Sequence, residues 1–257
     1  MEMTNETQAQ LLDSLLDLGQ MLLECGAEIS RVEDTISRIS SAYGAKDTNV
    51  FVITSIISLT VEFPEHEAVT ETRRIVRDGS TDFIRMEKLN ALSRSICSDP
   101  IPIEDLRQRI ETISKGRKPF GVQFWGSILA AGSYAVFFGG TWNDGLAAAI
   151  FGAVICLLQM LLDRTEINTV ARNLLISLLV GLGVGITAHF DPTLQMDKIL
   201  IGDIMLLIPG LAMINAVRNI LLGNTISGLV RLADSLLWAG SLAGGFMIAL
   251  KMINLLF

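Results

Sequence analysis

Apolar and polar positions divide the chain into two stretches. From residue 7 to 42, apolar side chains recur at helical spacing (Leu11, Leu12, Leu15, Leu16, Leu18, Met21, Leu22, Cys25, Ile29, Val32, Ile36, Ile39), which predicts an amphipathic helix or a helix pair. Gly19 and Gly26 interrupt that pattern, and each lowers helix propensity by about 1 kcal/mol. A break near Gly26 or a close helix contact follows, and Tyr43-Gly44 ends the element. Residues 49–63 are rich in β-branched and aromatic side chains and read as a strand. Pro64 to Glu67 makes a turn, and residues 68–76 alternate polar and apolar as a second, antiparallel strand. A two-stranded ribbon is marginal in water, so helices must cover it. Residues 82–97 and 103–114 supply them, the latter with Glu104 and Asp105 placed to suit the helix dipole.

Beyond residue 118 the pattern changes to long apolar runs. Five segments, at roughly 120–139, 144–162, 173–190, 199–222 and 227–250, each approach the ~20 residues that a bilayer core requires. The predicted architecture is an α-helical multi-pass membrane protein, with an N-terminal α+β cytosolic domain (1–118) followed by a transmembrane domain (119–257).

Charge sharpens this division. Residues 1–118 hold 14 of the 20 Lys and Arg and 20 of the 27 Asp and Glu, so the remainder is nearly empty of charge. Each charge at the centre of a span costs about 2.5–3.5 kcal/mol on insertion scales, which explains the desert. Lys115, Arg117 and Lys118 mark a cytoplasmic border, and Arg164 and Arg172 place the loop 163–172 on the same side. The positive-inside rule then puts the N-terminus in the cytosol, with Lys251 as mild contrary evidence. The net charge of −7 argues against nucleic acid as a partner. Cys25, Cys97 and Cys156 lack metal-ligand spacing and read as packing residues in a reducing compartment. No cleavable signal peptide is expected at the acidic start.

Polar residues inside spans are the functional pointers in such a chain. The fourth span carries Asp203 near its outer end, Pro209-Gly210 near its middle, and Asn215, Arg218 and Asn219 towards its inner end. The fifth carries Arg231 and Asp234 after a Gly223-Asn224 turn, which places Arg218 and Arg231 at similar depth. Two guanidinium groups there can hold a carboxylate, with Asp234 as partial counter-charge. Pro209-Gly210 can split the span into half-helices, the second pointing its positive end at an anion. The plainer alternative has Arg231 and Asp234 neutralising each other and Arg218 snorkelling to the headgroups. Gly181-x-Gly183-x-Gly185 lies within a span and reads as small residues for close helix packing, not as a nucleotide loop. His66 and His189 are isolated, and no metal or cofactor site is expected. In the N-terminal domain, Glu33, Thr54 and Arg74 are candidates for a polar pocket, against a solvated face with ion pairs. No nucleophile, base and orienter set appears, so the chain is not read as an enzyme.

Several runs resemble the threonine/serine exporter family: Glu-Cys-Gly-Ala-Glu-Ile-Ser-Arg-Val-Glu-Asp-Thr-Ile (24–36), Thr-Glu-Thr-Arg-Arg-Ile (70–75), Lys-Leu-Asn-Ala-Leu-Ser-Arg (88–94), and the segment 208–231 from Ile-Pro-Gly-Leu to Gly-Leu-Val-Arg. The resemblance spans nearly the whole chain. It implies a cell-membrane exporter of small carboxylate-bearing solutes, amino acids such as threonine and serine in some members and dicarboxylates such as succinate in others. Long members carry a second bundle of spans; this chain resembles the split form, in which a separate small membrane subunit supplies them within an oligomer. Family-like positions are Glu33, Thr54, Arg74, Pro209, Gly210, Asn215, Arg218, Gly223 and Arg231. The family usually has an acid at Asn219, so if that acid couples ion movement to export, coupling here differs or uses Asp234. A non-transporting membrane sensor or scaffold is the rival reading.

Overall fold

The structure is a computed structural model that describes residues 4–75, 82–116, 120–163, 165 and 167–257. Val76, Arg117, Lys118 and Arg164, which figure in the strand and orientation readings, lie outside the described residues. The chain forms two compact units, Met1–Arg117 with Ile214–Arg231, and Lys118–Met213 with Leu232–Phe257. The first division falls between Arg117 and Lys118, and the segment Ile214–Arg231 clusters with the N-terminal residues.

In the first unit, α1 (Asn5–Glu24) and α2 (Ile29–Ala42) form the predicted helix pair, separated at Gly26, whose φ of +86° suits glycine. Gly19 provides the close approach, since a Cβ there would lie 2.8 Å from the tip of Ile36. Leu11, Leu12, Leu15, Leu16 and Leu18 are buried almost completely, so α1 is the spine of the core. The helices α3 (Phe83–Ser98) and α4 (Ile103–Ser114) pack beside it.

The sheet corrects one expectation. Residues 49–63 do not form a single strand but a hairpin, β1 (Asp47–Ile53) and β2 (Ile56–Glu62), to which β3 (Val69–Arg74) adds in the order β1-β2-β3, all antiparallel. The turn at Thr54-Ser55 lies between isoleucines and has no glycine, proline or asparagine to announce it. Val52, Ile57, Leu59 and Val61 face the helices, whereas the other face pairs hydroxyls, Ser58 with Thr72 and Thr60 with Thr70.

The second unit contains α5 (Phe120–Phe137), α6 (Trp142–Leu162), α7 (Thr169–Phe190), α8 (Met196–Leu207), the start of α9 (Gly210–Leu221) and most of α10 (Thr225–Leu256). Among the described residues four helices are long and apolar enough to cross a membrane, or five if α8 and α9 count as one bent span. Small residues line the contacts, as lipid-facing bundles require. Gly132 and Gly145 bring α5 onto α6, Gly202 brings α8 onto α5, and Gly181 and Gly185 lie against Ala249 and Ile253 of α10. The close-packing reading of the 181–185 motif holds. Asp144 ties the loops together: Thr141 and Asp144 form a capping box, and Asp144 Oδ1 accepts from Gln195 N at 2.7 Å.

Candidate functional site

The break in the fourth apolar segment follows from its sequence. Ile208 is extended (φ −62°, ψ 128°), as the residue before a proline prefers, and ends α8. Pro209 has no N–H to continue the ladder, and its carbonyl accepts from Met213 N to start α9. The two half-helices bend by 51°. The predicted interruption is therefore real, with Pro209 and Gly210 half-buried at it.

Towards its end α9 belongs to the first unit. Gly223 (φ +92°) closes it in a Schellman motif, with Gly223 N donating to Ile220 O and Asn224 N to Asn219 O. Gly228 of α10 then lies against Ala216 and Ile220 of α9, giving a tight hairpin. Asn215 is half-buried on this hairpin. Asn219, one turn further, is fully buried, and neither its amide nitrogen nor its amide oxygen has a hydrogen-bond partner among the described residues. A buried amide without partners costs about 1–3 kcal/mol, so the position is costly to the fold and chemically open to a polar ligand.

Arg218 has a partner that the sequence readings did not name. It forms an ion pair with Glu28, at 2.5 Å, at the corner between α1 and α2. Arg231, half-buried, and Asp234, exposed, lie one turn apart on α10, where each is engaged within the structure. The units divide the candidates: Asn215, Arg218, Asn219 and Arg231 fall in the first, and Pro209, Gly210 and Asp234 in the second.

Each N-terminal candidate has its own place in the first unit. The Glu33 carboxylate accepts from Val52 N (3.2 Å), an edge N–H of β1 that no strand satisfies. Burial raises the Glu33 carboxyl above its usual value, and the Val52 hydrogen bond opposes the shift. Thr54 lies in the β1–β2 turn. Arg74 is exposed and pairs in register with Ile56, whereas Arg73, opposite Ile57, faces the helices and forms ion pairs with Asp13 and Asp17 of α1. Strand alternation thus gives the helix-facing role to Arg73 rather than Arg74.

Sequence reasoning missed two features. Glu28 as the partner of Arg218 joins distant parts of the chain and left no local signal. Asp203 is fully buried with neither carboxylate oxygen hydrogen-bonded among the described residues; its position in an apolar run was visible, but its isolation was not.

The model of a family described as putative threonine/serine exporter matches residues 13–253. A probable threonine/serine exporter of Mycobacterium tuberculosis is 25% identical over 250 residues, covering 94% of this chain and 46% of the relative. The threonine/serine exporter of Corynebacterium glutamicum is 21% identical over 263 residues, covering 99% of this chain and 54% of the relative. The chain thus spans about half the length of these two relatives. A probable succinate transporter subunit, YjjP, of Klebsiella aerogenes is 26% identical over 247 residues, covering 91% of this chain and 90% of the relative. No solved structure matches.

Proposed function

The chain belongs to the threonine/serine exporter family, and from that premise we propose that it is the larger subunit of a secondary exporter of small carboxylate-bearing solutes, threonine or serine or a dicarboxylate such as succinate. It works in the cell membrane with its N-terminus cytoplasmic, in an oligomer completed by a second, small membrane subunit. Its relatives are named as transporters, not enzymes. The split arrangement draws support from the nearly end-to-end correspondence with the relative named a transporter subunit.

The observation that carries the reading is the 51° break at Pro209, which interrupts an apolar segment just ahead of Asn215, Arg218 and Asn219. Transporters use such breaks to bring backbone and polar side chains to a substrate within the bilayer. Arg231 and Arg218 supply positive charge for the carboxylate, and Asn215 and Asn219 supply amides. Arg218 must exchange its bond to Glu28 for one to substrate, so the N-terminal domain senses occupancy through that residue.

The test is efflux from proteoliposomes containing the chain and the small membrane protein that co-purifies with it, loaded with labelled threonine or succinate. Gradient-dependent efflux of one solute, lost in Arg231→Ala, is expected. Efflux of neither solute, or an Arg231→Ala variant as active as the parent, would overturn the proposal and favour a sensor or scaffold.

A further inference from the structure

We infer that Asp203 is the proton-carrying group of this exporter and is held protonated, away from water, in the conformation described. The inference rests on the exporter reading above, but the observation behind it is independent of the substrate site.

Within the second unit, most carboxylates have an evident structural task. Asp144, equally buried, accepts from Thr141 N, Thr141 Oγ1 and Gln195 N at 2.7–2.8 Å. Asp163 pairs with Arg172, Asp191 accepts from Thr193, and Asp197 pairs with Lys198. Asp203 has no exposure and no hydrogen bond to either oxygen among the described residues. An ionised carboxylate left so would cost several kcal/mol, whereas the neutral acid leaves only one donor unmet. The geometry is that of the acid form.

The neighbours do not alter that conclusion. The helix α8 packs against α5, α6 and α7. Their titratable or charged members are Tyr134 on α5, Asp144 and Cys156 on α6, and Arg172 and His189 on α7, with Asp197 and Lys198 on α8 itself. Asp144, Arg172, Asp197 and Lys198 are engaged as described, and the His189 ring stacks on Phe257 at 3.9 Å. None of these groups hydrogen-bonds to Asp203. A proton needs only this one carboxylate, whereas a metal cation needs several oxygen ligands, and no group of three His, Cys, Asp or Glu side chains among the described residues could hold one.

Position supplies the means of exchange. Asp203 lies about one helical turn before the break at Ile208-Pro209, and the adjoining Gly202 rests directly on the Ala131 carbonyl of α5. A shift of α8 about that break opens the seam and brings the carboxyl to water. Exposed to one side it releases its proton, and the carboxylate left behind takes up a proton only once it is closed to that side and open to the other, after which it can be buried again as the acid. Solute movement is thereby tied to proton movement.

Two measurements test this. In proteoliposomes containing the chain and its small partner, Asp203→Asn should lose accumulation driven by a pH gradient yet retain exchange of labelled solute at equal concentrations, without pH dependence. Asp203→Glu should retain both activities with a shifted pH profile. Full proton-driven accumulation by Asp203→Asn, an unshifted profile in Asp203→Glu, or accumulation driven by sodium alone in the parent would overturn the inference. Infrared titration of the purified protein in lipid gives a substrate-independent check. A protonated carboxyl band at neutral pH that disappears in Asp203→Asn supports the inference, and its absence from the parent refutes it. If the parent shows the band but moves neither solute, the exporter reading fails and the protonation site stands.

Discussion

Helices α1 and α6 are both rich in leucine, and they use it in opposite ways. In α1 the large side chains Leu11, Leu12, Leu15, Leu16 and Leu18 are buried, while Glu6 is exposed and Asp13 and Asp17 pair with Arg73. In α6 the buried positions are Asp144, Gly145, Ala148, Gly152, Ile155 and Cys156, mostly small, while Leu146 (67% exposed), Ile150 and Leu161 (64%) point outward. Where water is outside, burying a leucine is worth about 1.5–3 kcal/mol, so large apolar residues go in. Where hydrocarbon is outside that gain vanishes, and the interior is chosen for closeness of approach. The choice of what to bury therefore identifies the solvent of each region more directly than hydropathy does.

The largest effects test this contrast by the same substitution at both sites. Leu15→Ala opens a cavity in the α1 core and is expected to lower stability by about 2–5 kcal/mol, read as loss of amide-exchange protection in α1 and its neighbours. Leu146→Ala on α6, in lipid, is expected to change stability by no more than about 0.5 kcal/mol. Equal costs would mean that α6 buries its outer face against something other than lipid, and the comparison would break.

Glycine substitutions sharpen the contrast. A Cβ at Gly202 would lie 2.5 Å from the Ala131 carbonyl oxygen, a backbone atom with little room to move, and Gly202→Ala is expected to cost about 1–3 kcal/mol. At Gly19 the obstacle is the flexible tip of Ile36 at 2.8 Å, and replacing a helical glycine returns about 1 kcal/mol, so Gly19→Ala should come out smaller. Thermal unfolding of the two variants in lipid nanodiscs measures the difference.

The same division governs how much was legible beforehand. Helical periodicity found α1 and α2, and the break at Pro209 was readable because proline acts through its own missing N–H. The β1–β2 hairpin was hidden, because Ile53-Thr54-Ser55-Ile56 continues a β-branched run through the turn itself. At the candidate site, residue types could be named but not their partners. Whether Arg218 faces lipid, substrate or Glu28, and whether Asp203 is wet or dry, depends on which helices meet. Long-range packing of that kind leaves no period in the sequence.

Arg218 offers an intermediate effect. Its side chain is 58% exposed and that of Glu28 15%, so the pair straddles an edge of the first unit's interior. A double-mutant cycle with Glu28→Gln and Arg218→Gln should give a coupling of about 0.5–1 kcal/mol, weakening as salt is raised. Coupling that is insensitive to salt would mean a dry pair, and Arg218 would then resemble the membrane unit's buried groups rather than a surface cation.

The smallest effect concerns Glu33, the carboxylate of the water-facing unit most comparable with Asp203. Burial raises its titration above the usual 4.5 even with the Val52 N–H opposing, so the folded chain binds the proton more tightly than the unfolded chain does. The resulting stabilisation is present below that usual value and is lost as pH rises through the folded one. Glu33→Gln keeps an oxygen acceptor for Val52 N but cannot ionise, so its stability relative to the parent should improve from acid towards neutral pH. A relative stability that instead fell over that interval would show that partners hold Glu33 ionised. Glu33 has an edge N–H to share its charge, whereas Asp203, about one helix turn from a break, has no hydrogen bond to either oxygen among the described residues.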